Sequence, residues 1–362
     1  MDEIREFTDI MKSLQNHLLE FIERENNSEE NYQNFVDIFN EQKISNDLCN
    51  FKSFIHILLQ IANNHYRTPN FFSKIDKIIL NLKDEIKQKF SNSQIFNFFK
   101  SNKRILLFLI KEKILVIDHS ITNIILNDTK FNVRNYIQYF LIENEIIQNF
   151  SIENSEVFDE KREIGENDDT ICTIIRNDLI DEFISFVKKN DYPLNSQINQ
   201  SIFETNNFLL KNEPTLIEYA AFFGSTQIFK YLYLNGVELI QSIWIYAIHS
   251  DNPEMIHLFI EMNIIKPDDE SYQKCLKESI KCHHNDIANY IINNLIDQDN
   301  YQLGENYNDN IVAYGFKYHN YSFFPNDFNH KFIFFYSCQY DYLKIVRILL
   351  QTKQINIKGA LI

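Results

Sequence analysis

Cys275, Cys282, His283 and His284 have the residue types that metal or nucleophile chemistry uses, and they lie close together in the chain. A structural zinc site takes four nitrogen or sulfur donors in a tetrahedron, at about 2.0–2.3 Å, usually from closely spaced pairs. Here the two cysteines are two helical turns apart on one helix face, about 10 Å from each other. That separation is too long for one ion. A nucleophile at Cys282 would need a partner imidazole and an oxyanion hole, and no glycine-rich sequence surrounds it. A structural role is therefore expected for the cluster, with a metal-dependent or enzyme-associated role through Cys282, His283 and His284 as the alternative. No phosphate loop, dinucleotide fingerprint, zinc-protease helix or serine-hydrolase elbow occurs. Asp168-Asp169 and Asp268-Asp269 are side by side in polar stretches, where neighbouring carboxylates cap helices or meet solvent and do not converge on a substrate. The expectation is a chain that is not an enzyme and takes no cofactor.

The elements that would hold these residues are helical. Only 6 Gly and 6 Pro occur in 362 residues, too few for a hairpin-rich β fold, and Asn, Asp and Ser supply the turns. Ile4, Phe7, Ile10, Met11, Leu14, Leu18, Phe21 and Ile22 form a helical stripe over 4–24. Further helices are expected near 32–41, 48–64, 71–89, 93–100, 103–114 and 131–149. The net charge of -15 argues against nucleic acid as a partner; Lys100, Lys103 and Arg104 are the nearest approach to a basic patch. No window is apolar for the roughly 18–20 residues that span a bilayer, and the acidic start lacks a signal-peptide layout. Five widely spaced cysteines fit reduced thiols in an intracellular, cytoplasmic setting, with the nucleus left open.

Composition shifts at 151–170, SIENSEVFDEKREIGENDDT, to an acidic stretch read as a connector. It separates an N-terminal α-helical region, 1–150, from 171–362. In the later part Pro214 to Gly236 reads as two short antiparallel helices broken at Gly224 and stopped at Asn235-Gly236. The pattern recurs, with Ala220 matched by Thr173, Ala247, Ser279 and Ser337, and Gly224 by Asn177, Asp251, His283 and Asp341. An insertion is expected at 194–212 and a degraded unit around 310–320.

This pattern resembles an ankyrin repeat, with Leu216 and Glu218 in place of the usual Pro and His. The ordered strings GENDDTICTIIRNDLIDEF, SIFETNNFLL, TLIEYAAFFGSTQIFKYL, IWIYAIHSDNPEM and KCHHNDIANYI are similar to the divergent ankyrin-repeat proteins expanded in trichomonad protists, which contain an ankyrin-like domain of unknown function. The resemblance implies an all-α fold, a helical N-terminal region followed by a helix-turn-helix solenoid, and no catalytic residues. It also implies that the ends of the inner helices face a groove that binds another protein. Those positions are Phe222, Phe223, His249, Ser250, Lys281, Gln339 and Tyr340, with burial of Phe222 beneath the 194–212 insertion as the opposing expectation. The apolar residues from Leu343 to Leu350 are expected to leave an end face suited to self-association, in a solenoid lacking its C-terminal cap.

Overall fold

The structure is a computed structural model and describes residues 2–24, 28–127, 155–264, 266–267, 272–296, 305–325 and 332–351. The expected helix over 131–149, the carboxylate pair at 268–269 and the C-terminal residues beyond 351 lie outside the described residues. Every regular element among the described residues is helical, and an isolated bridge between Gln197 and Thr215 is the one β-type pairing there.

The chain packs as two units. The first comprises Met1–Ile75 and Ser271–Ile362, and the second Asp76–Glu270. These units cut across the division at 150 drawn from composition. The reason lies in α1 (Asp2–Glu23) and α3 (Leu48–Asn64), whose apolar faces bury against the C-terminal elements of the same unit, while α2 (Ser28–Glu41) packs on α1 and α3. Helix α1 carries the expected stripe, with Ile4, Phe7, Met11, Leu14, Leu18, Phe21 and Ile22 all buried. Gln15, a fully buried polar residue on this helix, donates to Asn320 Oδ1 at 3.0 Å and accepts from the Tyr321 amide at 2.9 Å. Asn320 Nδ2 in turn donates to Ile280 O and Asn285 Oδ1, so each buried amide finds partners.

Helix α4 (Phe71–Asn81) straddles the unit boundary. The second unit continues with α5 (Lys83–Lys89), α6 (Asn92–Phe99), α7 (Lys103–Lys111), α8 (His119–Asn127) and α9 (Ser155–Ile164). Helix α9 occupies half of the stretch expected to be a connector. Arg162 on it is fully buried and pairs with Asp159. Asp168 accepts from Lys161 and Ser201, while Asp169 caps the next helix by accepting from the Ile171 amide.

Three helical hairpins follow in this unit: α10 (Thr170–Arg176) with α11 (Ile180–Asn190), α13 (Leu216–Phe223) with α14 (Thr226–Leu234), and α15 (Ile243–His249) with α16 (Pro253–Glu261). A short α12 (Asn207–Asn212) precedes the second. The first unit holds α17 (Gln273–Cys282) with α18 (Asn285–Tyr290), a longer α19 (Glu305–Lys317), and α20 (Ile333–Gln339) with α21 (Leu343–Gln351). All five hairpins turn through a left-handed residue: Asp178 (φ 48°), Gly224 (70°), Asp251 (49°), His283 (61°) and Asp341 (68°). In four of them the next amide, from Leu179, Ser225, His284 or Tyr342, donates back across the turn to the carbonyl of Ile174, Ala220, Ser279 or Ser337 at 2.9–3.1 Å. This is the Schellman closure, which satisfies carbonyls that a helix end leaves open. His319 (φ 52°) closes α19 in the same way through Asn320 and Gly315.

The first turn corrects the expected register by one residue. Asp178, not Asn177, is left-handed, and Ile174 occupies the place of Ala220 while Thr173 is exposed. Asp169 sets this frame because its side chain fixes where α10 begins.

Candidate functional site

In the first unit the hairpin turns line up along α3. His56 lies on that helix one turn beyond Lys52, and His65 is its C-terminal cap. Against them stand three consecutive left-handed positions: His283 after α17, His319 after α19 and Asp341 after α20. This kind of turn places a residue at positive φ, and in a chain with few glycines His and Asp take that role at a modest energetic penalty. Side chains that would be absent from glycine turns are thereby directed into a protein interior.

The seam they form contains five imidazoles. His56 Nε2 lies 3.5 Å from Asp341 Oδ2, which Lys52 Nζ also meets at 2.5 Å. The hydrogen bond from His56, helped by Lys52, holds the Asp341 carboxyl below the usual range despite its partial burial. The His56 ring stacks on His319 with centroids 4.5 Å apart and planes within 6°. On its other flank His319 stacks against Tyr342 at 4.7 Å. Its Nδ1 is buried without a hydrogen-bond partner among the described residues. Burial, followed by the neighbouring His56 and His283, pushes the His319 pKa well below that of an ordinary histidine.

At the other end of α3, His65 Nδ1 is 2.8 Å from the Cys282 carbonyl oxygen. A carbonyl only accepts, so Nδ1 carries the proton and donates. Its Nε2 faces Glu23 Oε1 at 3.3 Å. That contact lacks hydrogen-bond geometry, so Glu23 pairs with the ring only when the ring is protonated. His284, whose ring meets His65 at 4.9 Å, differs: its Nε2 accepts from the Tyr66 amide at 3.3 Å. Between these pairs sits His283, 1% exposed. Its Nδ1 lies 3.4 Å from Lys281 O, and its Nε2 is buried with no hydrogen bond of normal geometry. Burial and then the nearby His65 lower its pKa to about 3, against weak support from the Lys281 and His319 backbone.

This geometry bears on the residues singled out from sequence. No set of donor atoms lying within 4.8 Å of one another brings Cys282, His283 and His284 together. The lone pair that a ligating His284 Nε2 would offer is engaged by the Tyr66 amide. Cys282 enters the seam through its backbone carbonyl, with its side chain buried.

Of the seven positions expected to face a groove, three are inside. Phe222 is 6% exposed, and His249 and Ser250 are 2% exposed. Phe208, in the first turn of the short helix α12 at the end of the 194–212 insertion, is the cover. Its ring stacks over Phe222 at 5.9 Å and meets His249 at 4.2 Å. Ser250 Oγ is turned back onto the Ala247 carbonyl at 2.7 Å. Phe223 is half-buried against Tyr219 and Phe222. Lys281 is half-buried and paired with Glu278 at 2.5 Å, Tyr340 is half-buried, and Gln339 is exposed. His56, His65 and His319, which complete the seam, were not singled out from sequence. Their signal was the recurrence of the turn itself, which would have placed His319 in register with His283.

Comparison of the chain with family models, with curated proteins and with solved structures gives no match.

Proposed function

We propose that this chain is a non-catalytic scaffold that binds another protein, built from ankyrin-like helix-turn-helix units. The observation that carries the reading is the five-fold recurrence of the left-handed hairpin turn, supported by the side-by-side packing of inner helices α10, α13 and α15. Stacked units of this kind offer extended surfaces, which is how repeat architectures bind partners. Three of the five thiols are in the wrong state to act as nucleophiles. Burial pushes Cys172 up to about 12 and raises Cys49 and Cys338 as well, whereas a reactive thiol needs a depressed pKa. The acidic charge of the chain fits a protein partner better than a nucleic acid.

Among the expected contact positions, Gln339 and Tyr340 at the end of α20 remain accessible. The apolar side chains of Phe335, Leu343 and Leu350 on the same hairpin are exposed, which supports a contact surface there, including self-association. The test is affinity capture from the protein's own cells, comparing wild type with Gln339→Glu/Tyr340→Glu. A partner captured by wild type and lost by a variant of unchanged circular dichroism supports this surface. Equal capture by both removes it. Light scattering showing a monodisperse monomer removes self-association, and stoichiometric metal in the purified protein would favour the alternative role of Cys282, His283 and His284.

A further inference from the structure

We propose that the seam between α3 and the hairpin turns of the first unit is a proton-operated latch, closed while His283 and His319 are neutral and released when both rings take up a proton in mildly acidic surroundings. This is a regulatory device, and it holds whether or not the scaffold reading does.

Charged and titratable groups face the two rings from several elements. Helix α3 and its cap present Lys52, His56 and His65, and α1 presents Glu23. Helix α17 presents the Lys281–Glu278 pair, and the α20–α21 turn presents Asp341 and Tyr342. The phenols of Tyr318, Tyr321 and Tyr342, raised by burial, stay neutral. The three carboxylates named are committed to other groups: Asp341 to Lys52 and His56, Glu23 to His65, and Glu278 to Lys281. No carboxylate contacts His283 or His319 among the described residues. A proton placed on either ring is therefore a buried charge without a counterion, the arrangement a protein tolerates least. The outer histidines reinforce this, because a proton on His56 or His65 adds positive charge beside the inner rings.

The sign follows from linkage. A histidine in an opened, hydrated seam titrates near 6.5, and in the closed seam burial and neighbouring histidines depress it. The open state thus binds more protons, so stability is full above pH ~6.5 and is lost progressively as pH falls below it. Each ring weakens closure by up to about tenfold per pH unit, and the two together by up to about a hundredfold.

The test is amide hydrogen exchange on the full chain at about pH 7.5, 6 and 5, corrected for intrinsic rates. Protection of 48–64 and 273–282 should fall steeply below pH ~6.5, while 216–234 in the second unit serves as the reference. His283→Asn/His319→Asn keeps residues that accept positive φ and removes both titrations, so its α3 protection should lose most of that pH dependence. Unchanged α3 protection down to pH ~5, or the same loss in the double variant, would overturn the latch. Should the variant fail to fold, nitrogen-15 ring shifts of wild type decide: neutral His283 and His319 rings at pH ~5.5 in the closed form support it, and ordinary titration near 6.5 overturns it.

Discussion

The hairpin turns of the two units share a backbone device and differ in what their side chains do with it. In the second unit neighbouring turns are tied by groups that do not change charge when they bond. Ser225 Oγ donates to Ile175 O, and Asn252 Nδ2 donates to Gly224 O at 3.2 Å. The Asp178 carboxylate accepts the Gln227 and Ile228 amides, each at 3.0 Å, and so caps the next hairpin's outer helix. In the first unit the equivalent positions carry His283 and His319, which contribute stacked rings and buried nitrogens in place of hydrogen bonds. None of the groups that make the second unit's ties is a histidine. The first unit's seam depends on neutrality. The same turn geometry therefore builds either a fixed joint or one that protons loosen, and the residue at the left-handed position decides which.

Four substitutions would sharpen or break that contrast. The largest effect is expected from Phe222→Ala, which removes the ring that Phe208 and His249 pack on. Truncating a buried Phe costs about 3–5 kcal/mol. Trp244, the single tryptophan, is buried against Phe259 in the same unit and reports the loss by fluorescence during urea unfolding. A wild-type midpoint would show that the cover contributes nothing and that Phe222 is available after all. Next, Gly224→Ala should destabilise the same unit by roughly 1–2 kcal/mol. Its Cβ would enter at positive φ only 3.0 Å from Asn252 Nδ2, whereas Gly236→Ala meets open space and should cost about 1 kcal/mol from φ alone. Equal losses would mean that the turn-to-turn contact is slack. The smallest effect belongs to Lys52→Met, because the Lys52–Asp341 pair is partly exposed. An exposed pair contributes under ~1 kcal/mol. A much larger loss, measured by chemical denaturation, would shift the first unit's seam from its histidines to its ion pairs.

Legibility from sequence varied with the kind of constraint. The helices were readable wherever one face alone is buried, as in α1, because an apolar stripe at helical spacing is a one-dimensional signal. The left-handed positions Asp251, His283 and Asp341 were readable from the repeat. The first turn slipped because Asn177 and Asp178 both tolerate positive φ, and only the Asp169 cap distinguishes them. Glu218 illustrates a signal that was present and unused. Read as a replacement for the usual histidine, it is the partner of Thr215 in a capping box, its Oε2 accepting the Thr215 amide at 2.9 Å. The seam was hidden for a different reason. His56 and His65 are more than 200 residues from His283 and His319, and pairings over such distances leave no local pattern. Burial of His249 by Phe208 likewise depends on where an insertion folds, which composition does not encode.

The first unit is assembled from the two ends of the described chain, and that has a consequence in time. Helices α1 to α3 leave the ribosome early, yet the hairpins that cover them begin only at Ser271. Roughly 200 residues must be made in between, which at about 5–20 residues per second takes on the order of 10–40 s. During that interval Phe51 and Phe54 can already meet Phe39 and Phe35 of α2, but the faces of α1 and α3 that the C-terminal elements cover stay open, while the second unit is completed from contiguous sequence. Nascent chains stalled before and after Ser271 should therefore differ sharply in chaperone occupancy over α1 to α3.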